Sequence, residues 1–190
     1  MKQSEELPVV EGYEPQKKTV SILWANVLAL ALFIVLAVVG FVAMHFIFGS
    51  QINHFTGFTM LYFCFIFFVG IVVHELIHGL TWMAVTRQSF SHLSFGLMAG
   101  AVYCHIDVPM KKRHYVVGAL MPLILVGIIP AVAGLCAGSL LWMMSGVALI
   151  AGAAGDIMIV NAIRNEPADA LVYDHPSEAG CYVYHKIEEQ

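Results

Sequence analysis

Four long apolar runs dominate the chain: Val20–Phe48, Phe58–Thr86, Tyr115–Ala137 and Leu140–Ile163. Each exceeds the roughly 20 residues that a helix needs to cross a bilayer, so each predicts a transmembrane helix. The polar stretches around them divide the chain into a flexible tail at residues 1–19, a membrane domain at 20–164 and a second tail at 165–190. The head carries Glu5, Glu6, Glu11 and Glu14 where a signal peptide is basic, and the first run is too long to be cleaved, so it reads as a retained helix.

The segment Gln88–His114 breaks the pattern. Glycines, aromatics and β-branched residues mix there without a helical stripe, from Ser91-His92-Leu93 to His105-Ile106-Asp107. It predicts a membrane-associated β-hairpin or re-entrant loop between helices two and three, closed by Pro109 and the Lys111–His114 cluster. Pro122 and Pro130 interrupt the third helix, which a bundle tolerates. The fourth is rich in small residues from Ala148 to Gly155, a face that lets another helix approach closely. The alternation Cys181-Tyr182-Val183-Tyr184-His185 suits a short strand. The fold class is therefore an all-α membrane protein of about four transmembrane helices carrying one hairpin.

Composition agrees: 59% of the 190 residues are hydrophobic and 12% charged, with mean hydropathy +0.80, whereas soluble domains are about 25% charged. Net charge is −4 and no large basic cluster exists, which argues against a nucleic-acid partner. All nine lysines and arginines lie on one side of a four-helix topology, and the connections Gly49–Gly57 and Gly138–Ser139 contain none. Basic residues mark the cytoplasmic side, so both termini are expected there. The expected location is a bacterial inner membrane, with the bilayer itself as a partner. Cys64, Cys104, Cys136 and Cys181 lack metal-site spacing and read as free thiols.

In the second run the only charged or imidazole side chains are His74, Glu75 and His78, forming His-Glu-Leu-Ile-His. Ionisable groups in hydrocarbon are costly, and they imply a task and a partner. Histidines at i and i+4 share one helix face and can hold zinc, with the glutamate as general base for a zinc-activated water. A catalytic zinc takes three protein ligands and leaves one position open. Asp156 is the only acid in the fourth run. It lies eight residues before Arg164, and His74 and His78 lie thirteen and nine before Arg87. At about 1.5 Å per residue these positions share a depth. His105, delivered by the hairpin, is the other candidate ligand. Imidazole and carboxylate ligands favour zinc over other divalent ions.

The motif His74-Glu75-Leu76-Ile77-His78-Gly79, the later Gly155-Asp156, the proline-interrupted helix between them and the tail Asp174-His175-Pro176 resemble the putative zincin peptidase membrane family. More distantly the layout is similar to site-2 protease intramembrane metalloproteases. The resemblance implies His74, His78 and Asp156 as zinc ligands and Glu75 as the catalytic glutamate. Asp156 departs from the Asn-Pro-x-x-Asp-Gly setting of the site-2 class, being preceded by Ala153-Ala154-Gly155 and followed by Ile157.

The reading is a zinc-dependent endopeptidase, embedded in the membrane, hydrolysing peptide bonds of a membrane protein or peptide near the cytoplasmic face. The alternative is a non-catalytic scaffold with a structural or degenerate metal site. A transporter fits less well, because the intramembrane ionisable groups collapse to one cluster plus His45. An inhibitory latch formed by His175, Glu178 or Cys181 over the metal is a further possibility. Oligomeric state and the cleaved bond are open at this point.

Overall fold

The computed structural model describes residues 7–49, 56–98 and 101–187. Four helical spans are long and apolar enough to cross a membrane: Ile22–Phe48, Gly57–Thr86, Lys112–Cys136 and Leu140–Ala162. They match the four apolar runs to within three residues at each boundary.

Strand β1 (Tyr13–Thr19) leads into helix α1 (Ile22–Phe48), whose N-cap Ser21 accepts from the Trp24 amide. Helix α2 (Gly57–Thr86) opens with a capping box, in which Thr56 and Thr59 satisfy each other's backbone amides. It stops at Arg87, which takes the left-handed conformation. The expected hairpin follows as β2 (Leu93–Met98) and β3 (Ala101–Ile106), antiparallel, with Phe95 opposite Cys104. Glu5 and Glu6 of the head lie outside the described residues. A short β4 (Met110–Lys111) feeds directly into α3 (Lys112–Pro122).

The prolines act where the sequence puts them. Pro122 ends α3, a π-helical stretch covers Leu123–Ile128, and Pro130 sits in the first turn of α4 (Ile129–Cys136). The fourth span is also broken, into α5 (Leu140–Gly152) and α6 (Ala154–Ala162). The small-residue run from Ala151 to Gly155 offers little side-chain packing to hold a continuous helix there, and its two glycines are poor helix formers. The break puts Asp156 in the first turn of α6.

Both polar ends enter a sheet, and the strand expected at Cys181–His185 is part of it. Strands β5 (Leu171–Asp174) and β6 (Gly180–Lys186) join β1 and β4 in one antiparallel sheet of order β1-β6-β5-β4. The residues expected as a flexible head thus include an edge strand, with Tyr13 opposite Lys186 and Thr19 opposite Gly180. Its lysines are engaged: Lys17 pairs with Glu178 at 2.6 Å and Lys18 with Glu166 at 3.4 Å. Lys112 donates to the carbonyl oxygens of Arg164 and Glu166 just past the end of α6. Those carbonyls have no helical partner, and a cation there also offsets the helix dipole.

Two cores hold this arrangement. One, beside the sheet, buries Trp82, Ile106, Tyr115, Ile163, Val172, Cys181 and Val183. The other joins Met44 of α1 to Met143 and Val147 of α5. Outward apolar residues on α1, such as Trp24, Leu30 and Val38, stay exposed. Glycines let the elements close. A side chain at Gly70 would meet Leu149 at 2.6 Å, and one at Gly79 would meet Leu93 at 2.8 Å and Cys104 at 3.0 Å. Gly70 therefore seats α2 on α5, and Gly79 seats the hairpin on α2.

Candidate metal centre

Helix α2 sets His74 and His78 one turn apart on its buried face, with ring centroids 4.7 Å apart. The broken fourth span swings Asp156 between them. Its Oδ2 lies 3.1 Å from His74 Nε2 and its Oδ1 lies 3.5 Å from His78 Nε2. The depth argument from sequence and the structure thus bring the same three residues together. Ligand atoms of His74, Glu75 and His78 all lie within 4.8 Å of one another.

These separations fit a metal. Bonds of about 2.0–2.1 Å at a tetrahedral centre put neighbouring ligand atoms roughly 3.3 Å apart. The two Nε2-to-carboxylate distances bracket that value. The tautomer fits as well. His78 Nδ1 lies 2.9 Å from the carbonyl oxygen of Gly118, which can only accept, so Nδ1 carries the proton and Nε2 keeps its lone pair. Two imidazoles and a carboxylate form a donor set suited to zinc.

Aromatic rings wall one side. The His78 ring stacks on Trp82 at 5.3 Å, and Trp82 stacks on Tyr115 at 5.5 Å. Trp82 Nε1 donates to the Tyr115 carbonyl oxygen at 3.1 Å. Gly118 leaves room for the indole, since a side chain there would collide with Trp82.

Glu75 stands where two cavities meet. One, of about 530 Å³, is apolar and lined by Phe67, Phe68, Ile71, Val72 and Leu149 together with His74. The other, of about 250 Å³, runs past His78 and Asp156 towards Asp174, His175 and Glu178. Cys104, on β3, lines this second cavity together with Glu75. The Cys104 thiol beside it is pushed up to about 12, chiefly by burial and then by the charges of Glu75 and Asp174. It stays protonated and is unsuited to act as a thiolate ligand.

His105, the alternative ligand from sequence, is drawn elsewhere. Its Nδ1 lies 3.0 Å from Asp174 Oδ2, and the Tyr115 hydroxyl donates to Asp174 Oδ1 at 3.0 Å. The latch residues are also engaged. Glu178 holds Lys17, Cys181 is fully buried in the core, and His175 Nδ1 accepts from the amides of Ser177 and Glu178. His92 pairs with Asp107, His185 faces Glu166, and Asn161 accepts from Arg164. Trp82, Tyr115, Gly118 and Asp174 escaped the sequence reading. In the sequence Asp174 figures only through the run Asp174-His175-Pro176, whose His175 is read as a latch residue.

No curated protein and no solved structure matches the chain. A family model described as "Putative zincin peptidase" matches residues 67–171, more than half of the chain and the whole stretch from His74 to Asp174 apart from its last three residues. The chain belongs to that putative zincin peptidase family.

Proposed function

We propose that the protein is a zinc-dependent endopeptidase embedded in the membrane, with both termini in the cytoplasm, cutting membrane-protein or peptide substrates near the cytoplasmic face. The supporting observation is that Asp156 spans the Nε2 atoms of both motif histidines while Glu75, beside them, opens onto a large apolar cavity. Metallopeptidase chemistry is what the family description names.

His74, His78 and Asp156 would hold the zinc, which when bound supplies Lewis acidity towards a water and a scissile carbonyl. Glu75 is the general base. Its carboxylate accepts the water proton, holds it, and returns it to the departing amine nitrogen, so that a neutral amine leaves. Strand β3, through Cys104, borders the cavity into which Glu75 presents its oxygens. The apolar cavity takes up substrate side chains, and the hairpin edge at β3 offers backbone groups to an unwound segment as an added strand. The second cavity, which reaches Asp174, His175 and Glu178, is the approach for water.

The test combines elemental analysis and cleavage in detergent. The wild-type chain should carry about one zinc, as a three-ligand site requires, and cleave at least one of a panel of dye-quenched single-pass transmembrane peptides. Glu75→Gln should keep the zinc and lose turnover by roughly 100-fold or more. A metal-free folded chain overturns the zinc site, and undiminished cleavage in Glu75→Gln overturns the mechanism. Zinc without turnover on any peptide moves the reading to a scaffold with a structural metal.

A further inference from the structure

Among the described residues, the hairpin β2–β3 and the four-stranded sheet share no backbone pairing. Side chains join them instead. Asp174, the last residue of β5, receives His105 from β3 on one carboxylate oxygen and Tyr115 from α3 on the other, both at 3.0 Å. The His105 ring also meets Tyr173 edge-on at 5.7 Å. All three members are buried: Tyr115 is 2% exposed, His105 6% and Asp174 8%.

The position of this trio matters more than its burial. His105 is the neighbour of Cys104, which lines the 250 Å³ cavity beside Glu75. Tyr115 stacks on Trp82, which stacks on the candidate ligand His78. Glu75, Cys104, Asp174, Tyr115, Trp82 and His78 thus ring that cavity, and His105 ties Cys104 to Asp174 from behind it. An apolar trio would cost no desolvation, and a buried carboxylate is tolerated only with its hydrogen bonds in place. Its two bonds go to β3 and α3, the two elements that pack beside Glu75 and His78.

We infer that His105, Asp174 and Tyr115 form a positioning clamp that holds β3, and with it Cys104, against α2 beside Glu75 and the metal centre. The C-terminal strand β5 is thereby a working part of the site rather than an appended tail. This inference rests on the peptidase reading for its kinetic consequences, and on geometry alone for its structural ones.

Asp174→Asn keeps the size of the side chain but leaves one oxygen acceptor where the carboxylate offered two, so His105 and Tyr115 can no longer both donate to it. Three quantities would be measured: zinc per chain, kcat and KM on a cleaved dye-quenched transmembrane peptide, and the rate of maleimide labelling at Cys104, read by peptide mass spectrometry. We expect zinc unchanged, KM within about twofold, kcat down about tenfold or more, and Cys104 labelling faster by a similar factor, as for other groups that support a metal site's residues. His105→Asn, whose amide nitrogen can stand in for Nδ1–H, should restore Cys104 protection and most of kcat, and His105→Ala should not. Should Asp174→Asn fail to fold, Tyr115→Phe removes one bond of the clamp while keeping the stacked ring, and the same shifts are expected. Wild-type kcat and Cys104 labelling in these variants overturn the clamp, as does loss of zinc in step with kcat, which marks a purely structural role. A wild-type chain without turnover fails the peptidase reading alone, because faster Cys104 labelling in Asp174→Asn still supports the clamp.

Discussion

His78 and Gly118 are joined by a hydrogen bond, Nδ1 to carbonyl oxygen, at 2.9 Å. Gly118 thus does two things at once: its carbonyl fixes the imidazole tautomer, and its missing side chain leaves space for Trp82 against His78. A methyl group at this position would push the indole off the His78 ring. Gly118→Ala should therefore destabilise the protein by about 1–3 kcal/mol, the usual cost of overpacking. It should also weaken zinc binding by about tenfold or more. Thermal melting in detergent and a zinc titration check the two effects separately.

Asp156 is the only carboxylate set between the two motif histidines in the described residues. Asp156→Ala should lower zinc affinity more than removal of a supporting residue does, by at least about 100-fold. It also removes the partner of two buried imidazoles. Competition against a chelator of known affinity gives the number, and zinc binding at wild-type strength would show that the ligand set is different.

Gly70 and Leu149 form a tight contact between α2 and α5, with 2.6 Å left between Leu149 and a Cβ at Gly70. Gly70→Ala alone should cost about 1–3 kcal/mol through overpacking. Adding Leu149→Ala frees the space, so the double variant should lose less than the two single losses together, with a coupling of about 1 kcal/mol. Detergent melting curves of the four proteins test this. Additive losses would mean that the two helices do not meet there.

His175 has its pKa held below the ordinary histidine value of 6.5, first by burial of the ring and then by Lys17 and His105, against the opposing pull of Glu178 and Asp174. The neutral ring accepts two backbone amides and stacks on Tyr182 at 4.9 Å. A group with a lowered folded-state value binds protons more readily when unfolded. Its stabilising contribution is complete above about pH 6.5 and falls as pH drops below that. The β5–β6 turn should therefore loosen between about pH 6.5 and 5. Hydrogen exchange over residues 174–181 measures this, and His175→Asn, which can still accept an amide but does not titrate, should flatten the pH dependence.

The motif could be read early because it depends on local facts. The spacing of His74 and His78 on one turn follows from helix geometry, and helix formation in a 30-residue apolar run needs no other part of the chain. Asp156 was reachable by depth, because a membrane helix converts residue number into height. His105 shows the limit of that logic. The hairpin and its chemistry were visible, yet its side chain goes to Asp174, a residue 69 positions away. No local pattern encodes which of two nearby carboxylates a histidine will meet.

The sequence by itself determined the four apolar spans, the hairpin between the second and third, and the His-Glu-x-x-His cluster with Asp156 at matching depth. These follow from hydrophobic length and helical period, which are properties of contiguous residues. The tertiary structure alone decided that residues 13–19 form a strand on β6, that the fourth span breaks just before Asp156, and that Asp174 ties β3 to α3. Strand β1 gains its hydrogen bonds only from residues 180–186, and Lys17 meets Glu178 across 161 positions. Such pairings depend on where the chain returns after four helical crossings, and backbone and side-chain groups find their partners only once the helices have packed.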